Sequence, residues 1–160
     1  WIVKVRPGSL YHTVDRLADR ELVRAAGTDR DGNRPERTTY EATTQGRAAL
    51  AERITEILAQ PSREYPLFPL ALAEAHNLSA DTTVALLRER GAALDAEIAE
   101  LSDLAGQLRA DGVPEMYWLH IEYAKTVVSA QATWLRGLTD RIADGSLSWQ
   151  HPDTAETRTK

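Results

Sequence analysis

The sequence predicts a mainly α-helical fold with one small β-hairpin, and three observations predict it. Only one Phe and one Met occur among 42% hydrophobic residues, so a core has to be built from Leu, Ala, Val and Ile. Two long stretches repeat apolar residues at alternating steps of three and four, which places them along one face of a helix. Ahead of these, two shorter helix-like stretches flank a pair of β-prone runs joined by a turn-rich charged loop. The 160 residues suffice for one ordinary domain or two small ones, and 27% charged residues suit a folded chain rather than a disordered one.

The first element follows Pro7-Gly8. A Pro-Gly turn before Ser9 is a helix start, with Ser9 as the expected N-cap of a helix over residues 9–20. Leu10, Val14 and Leu17 fall at i, i+4 and i+7 and are expected to face inward. Leu22 to Ala25 then forms a short strand, and "GTDRDGNRPER", residues 27–37, is a loop with two Gly, one Pro and three Arg. Thr38 to Glu41 is β-prone and returns antiparallel to the first strand. Thr43 caps a further helix from Thr44 to Ala59 that carries Leu50, Ile54, Ile57 and Leu58 inward. Helix, hairpin with a charged loop, helix is the back half of a winged helix-turn-helix, with the hairpin as wing and residues 9–20 in the recognition-helix position.

The stretch "QPSREYPLFPLAL" holds three of the seven prolines and marks a boundary. Beyond it Val84, Leu87, Gly91, Leu94, Ile98, Leu101, Ala105 and Leu108 form a heptad-like seam, stopped by Asp111-Gly112-Val113-Pro114. A second long helix keeps the same rhythm through Tyr117, Ile121, Ala124, Val128, Gln131, Leu135, Leu138 and Ile142. Two long helices joined by a short Gly/Pro turn make an antiparallel hairpin. Leu86, Leu104, Val127 and Trp134 lie beside the seams, and one hairpin cannot cover them all, so a homodimer through residues 78–143 is expected. The expected organisation is a partial DNA-binding winged-helix domain over 1–60, a linker over 61–77, a helical dimerisation domain over 78–145 and a flexible tail over 146–160.

Charge and composition narrow the function. Net charge is −5, yet residues 1–60 hold ten Lys/Arg against nine Asp/Glu while residues 61–160 hold nine against fifteen. The acid sits in the C-terminal part and leaves the N-terminal part free to approach a polyanion. Absence of cysteine excludes disulfides, thiolate nucleophiles and cysteine zinc sites from these residues. No apolar run reaches the roughly 18 to 20 residues that span a bilayer, so no membrane partner and a cytoplasmic location are expected.

Ser9, His12, Thr13 and Arg16 share one side of the first helix and supply small hydrogen-bonding groups with a guanidinium, the chemistry of base-edge reading. The plainer reading is a solvated face. Arg34 and Arg37 flank Pro35 at the hairpin tip and suit phosphate or minor-groove contact, although Asp29, Asp31 and Glu36 beside them suit a merely charged loop. Lys4 and Arg6 precede the helix and reach the same backbone, and Tyr11 either donates to a phosphate or packs under the wing. His12 and Asp15 lack a third ligand at useful spacing, and no nucleophile or acid–base pair can be assembled, so neither an enzyme, a metal site nor a cofactor is expected.

"VRPGSLYHTVDRLADRELV" with "GNRPERTTYEATTQGRAAL" resembles the PadR-like family of bacterial transcriptional regulators, over residues 5 to 50. The resemblance rests on Pro7, Gly8, Ser9, Leu10, Tyr11 and Leu17, on Arg34, Pro35 and Arg37 in the wing, and on Tyr40, Thr43, Gly46 and Arg47 after it. It implies supporting helices ahead of Pro7 that lie outside this sequence, which opens at Trp1, so a native N-terminus before Trp1 is expected. It also implies Gly where this chain has Glu21, at the end of the recognition helix. Relatives bind small aromatic effectors, which makes Trp118, Trp134, Tyr117 and Tyr123 effector candidates beside the plainer reading that they pack a dimer. The expectation is a homodimeric repressor on a palindromic operator of double-stranded DNA. The alternative is a helical dimer acting as a protein-interaction module or small aromatic-ligand sensor without DNA binding of its own.

Overall fold

The computed structural model describes residues 7–29, 37–61 and 65–149. The chain divides into two compact units, Trp1–Tyr65 and Pro66–Lys160.

In the first unit, helix α1 spans Pro7–Asp19. It starts at the proline, whose missing N–H falls where a helix has no partner for it. Ser9 is therefore inside the first turn, not at the cap, and its carbonyl accepts the Thr13 hydroxyl at 2.7 Å. The helix ends with Glu21 in the left-handed region, φ 56°. There Leu22 N–H donates to the Leu17 carbonyl at 2.9 Å and Glu21 N–H to the Ala18 carbonyl at 2.8 Å, the paired bonds of a Schellman stop. Glycine enters that region without strain, whereas glutamate costs on the order of 1 kcal/mol.

Strands β1 (Val23–Asp29) and β2 (Arg37–Ala42) pair antiparallel and run further than the β-prone residues predict. Arg24 stands opposite Glu41 in the register and its Nε donates to Glu41 Oε1 at 2.6 Å. A register shift between Ala25 and Gly27 kinks β1.

Helix α2 spans Thr44–Ala59, as its cap residue predicts. Its first turn lies against Leu22 so closely that a Cβ at Gly46 would stand 1.9 Å from the Leu22 carbonyl oxygen. Only glycine fits that approach. The apolar face of α2 departs from expectation, because Leu50, Ile54, Ile57 and Leu58 are all exposed and no residue of α2 is buried. Leu10 of α1 is likewise exposed, while Val14 and Leu17 are half-buried. A two-stranded ribbon is too small to cover two helices.

The second unit opens with helix α3 (Leu67–Ala73), inside the stretch expected to be a linker. Pro69 is accommodated because it falls in the first turn, where N–H groups lack helical partners. Helix α4 (Ala80–Ala110) is capped by Ser79, which accepts from Thr82 N–H at 3.2 Å. It ends in the same paired-bond stop as α1, now with Gly112 at φ 70°. A 3-10 turn over Glu115–Tyr117 leads into α5 (Leu119–Ala143), which returns antiparallel along α4 as the seams predict.

Two clusters form the core. Val84, Leu87 and Leu94 of α4 meet Ala132, Leu135 and Ile142 of α5, and Leu101 and Ala105 meet Trp118 and Ile121. Burial of each large side chain among them contributes about 1.5–3 kcal/mol. Three expectations are corrected. Tyr117 is exposed, and Trp118 takes the core place because the 3-10 turn resets the rotation before α5 begins. Leu104 packs on its own core instead of remaining outside it. Residues 146–149 are not a loose tail: Leu147 and Trp149 pack on the first cluster, and Trp149 Nε1 donates to the Leu78 carbonyl at 2.9 Å.

Candidate nucleic-acid interface

Successive residues of a helix turn by about 100°, so Ser9, Thr13 and Arg16 form a line along α1 with His12 at its edge. Arg20 continues that line just past the helix end, at a step sequence reasoning did not extend to. Thr13, Arg16 and Arg20 line one shallow surface hollow together with Leu17. Ser9, His12, Thr13 and Arg16 are all exposed. His12 and Arg16 make no hydrogen bond or ion pair among the described residues, and Thr13 spends its hydroxyl proton on Ser9 while its oxygen stays outward. The row is thus an outward-facing set of donors and acceptors on a rigid element, beside the carboxylates of Asp15 and Asp19.

Tyr11 lies on the far side of α1 from this row and is 73% exposed. It does not pack under the wing among the described residues.

The base of the wing is held by three bonds around Thr43. Its N–H donates to the Leu22 carbonyl at 3.0 Å, its hydroxyl donates to the Glu21 carbonyl at 2.8 Å, and its oxygen accepts from Gly46 N–H at 2.9 Å. Arg47 Nη1 donates to the Ala42 carbonyl at 2.6 Å and closes the end of β2. The end of α1, the wing and the start of α2 are therefore one hydrogen-bonded assembly, which fixes where the wing leaves the helix. The motif residues Tyr40, Thr43, Gly46 and Arg47 thereby find physical roles in three of four cases: Thr43 as staple, Gly46 as the close approach, Arg47 as the strand clasp. Tyr40 is exposed.

Lys4, Arg6 and Arg34 lie outside the described residues, and of Arg37 the backbone alone is described, as the first residue of β2. Arg24 and Arg47, which sequence reasoning did not weigh as phosphate contacts, border a hollow at the start of α2, but Arg24 is engaged by Glu41.

The four aromatic effector candidates are not brought together. Trp118 is 3% exposed and its Nε1 donates to the Val113 carbonyl at 3.0 Å, which makes it a core residue. Tyr117, Tyr123 and Trp134 are exposed. No group of three or more His, Asp or Glu able to hold a metal ion occurs among the described residues. No helix among them is long and apolar enough to cross a membrane.

A recognition-position helix stapled to a two-stranded wing and a following helix defines a winged helix. Residues 2–52 match the family model of the transcriptional regulator PadR-like family. The fold is similar to Bacillus subtilis PadR solved in complex with operator DNA, at 20% identity over 88% of this chain and 80% of that one, TM-score 0.76. It is also similar to smu.1604c from Streptococcus mutans UA159, at 19% identity over 84% and 79%, TM-score 0.63. A third likeness is to the PadR-like regulator BC1756 from Bacillus cereus, at 16% identity over 84% and 75%, TM-score 0.60. No curated protein sequence matches the chain.

Proposed function

We propose that this PadR-like regulator is a cytoplasmic repressor that binds a palindromic operator as a homodimer. One observation carries the reading: the outward row Ser9, Thr13 and Arg16, with His12, on a helix whose far end is stapled to the wing. In the major groove these side chains meet base edges, Arg16 to guanine and Ser9 and Thr13 to either partner, while Tyr11 meets a phosphate. Lys4, Arg6, Arg34 and Arg37 add backbone contacts that position without choosing sequence. The relative bound to operator DNA supports this use of the fold.

The dimer is supported by α5. Leu119, Tyr123, Val127 and Trp134 recur at steps of four, four and seven, fall on one face by helical geometry, and are all exposed. A second copy is the simplest cover for such a stripe, and in this reading Tyr123 and Trp134 pack the dimer rather than hold an effector. The division of labour follows, with reading over residues 1–60 and dimerisation over 78–145.

The decisive experiment is fluorescence anisotropy of the chain, at its native length, on the duplex upstream of its own coding region. Binding that is lost at high salt and is at least 10³-fold tighter than to scrambled duplex is expected. Equal affinity for both duplexes, or none for either, overturns the reading.

A further inference from the structure

A cavity of about 240 Å³ lies within the second unit, between α3 and the first turns of α4. Its wall is aliphatic, with Ala71, Leu72, Ala75, Leu78, Leu86 and Leu87, and it also contains Phe68, Thr83 and Arg90. Two polar atoms in that wall are shielded from solvent and have no hydrogen-bond partner among the described residues: Thr83 Oγ1 and Arg90 Nε. Thr83 is 3% exposed, so water does not serve its hydroxyl. Buried donors of this kind are uncommon and call for a partner.

Arg90 is the stronger clue. Its guanidinium stacks over the Phe68 ring, 3.9 Å from the centroid, and its Nη2 donates weakly to Gln131 Oε1 at 3.4 Å. No carboxylate pairs with it among the described residues. A guanidinium held between an aromatic ring and an apolar wall, with its Nε unpartnered, favours an anionic acceptor. Thr83 stands two helical turns before Arg90 on the same face of α4, and both line this one cavity.

We propose that this cavity binds a small aliphatic carboxylate: the two carboxylate oxygens take Arg90 Nε and the Thr83 hydroxyl, and the alkyl body lies against Leu72, Ala75, Leu78 and Leu86. An aliphatic body fits better than an aromatic one, because the one ring in the wall already has the guanidinium over it. The site is separate from the exposed aromatics of α5 and does not depend on the DNA-binding reading.

The test is calorimetric titration of the full chain, without DNA, with octanoate, octanol and benzoate. Saturable binding of one octanoate per chain is expected, with octanol and benzoate at least tenfold weaker. Thr83→Val keeps the shape, removes an unpaired buried hydroxyl and should leave the melting temperature unchanged or higher while weakening octanoate about tenfold. Arg90→Lys keeps the charge, loses the fork and should weaken it further. Absence of saturable octanoate binding overturns the proposal, as does octanol or benzoate binding as tightly, or octanoate affinity that neither variant changes.

Discussion

The Thr43 hydroxyl donates to the Glu21 carbonyl oxygen at 2.8 Å, and Glu21 is the only non-glycine residue with positive φ among the described residues. The same oxygen of Thr43 accepts from Gly46 N–H at 2.9 Å. One side chain thus secures a left-handed residue at the end of α1 and starts α2. The polar row on α1 and the wing keep their mutual setting through this junction.

Thr43→Ala should therefore cost more than an ordinary cap, about 2 kcal/mol, at the high end of the range for threonine caps. Thr43→Ser retains both bonds and should cost less than half of that. Amide exchange of β1 and the first turn of α2 measures it, with protection falling in the alanine variant and persisting in the serine one.

Gly46→Ala introduces a Cβ at 1.9 Å from the Leu22 carbonyl oxygen, backbone that cannot turn away. The first turn of α2 must move, at a cost of about 3 kcal/mol or more. Loss of protection at Gly46 N–H itself, together with retained protection in α4, is the expected pattern. Equal protection before and after the substitution would show that the junction yields freely.

Glu21→Gly relieves left-handed strain and should stabilise the end of α1 by about 1 kcal/mol. It also removes a negative charge from the end of the polar row. Affinity for scrambled duplex should rise modestly at low salt and be unchanged at high salt, where that charge is screened.

Substitutions in the row and in the wing should separate. Arg16→Ala relaxes preference at a few base pairs, by about 1–3 kcal/mol of discrimination, which selection from random duplexes reads directly. Arg34→Ala with Arg37→Ala weakens binding to every sequence and flattens the salt slope by about two. An unaltered slope removes the wing from the mechanism.

Trp134→Glu places a charge in the exposed stripe of α5 while leaving the hairpin core intact. The chain should sediment as a monomer, with the helical content unchanged. Operator affinity should fall at least 100-fold, because two linked half-sites then bind one at a time.

Much of this architecture was legible in the residue order. Thr43 announces α2 because a threonine oxygen is the natural acceptor at a helix start, and the structure begins the helix at the next residue. The two seams of α4 and α5 were legible because burial follows helical period, and Leu87, Leu94, Leu101, Leu135 and Ile142 are buried where the period puts them. Trp118 was not, since a single 3-10 turn shifts the rotation and periodicity cannot register it. At Ser9 two start signals adjoin, and the proline prevails by tolerating the first helical position. The role of Trp149 is not legible locally, because its partner, the Leu78 carbonyl, is 71 residues away in sequence. The apolar face of α2 predicts burial that the structure does not show, because amphipathicity reports what a helix prefers, not whether anything covers it.

Burial is distributed unevenly along the chain: every buried residue among the described ones falls from Ala75 to Ile142. The enthalpy absorbed and the heat capacity gained on melting scale with the surface that folding hides, so a thermogram of this protein registers the helical hairpin and scarcely notices the first unit. Damage to α1 or the wing can leave the melting curve untouched, and a variant that looks sound by that measure can already have lost its grip on a duplex.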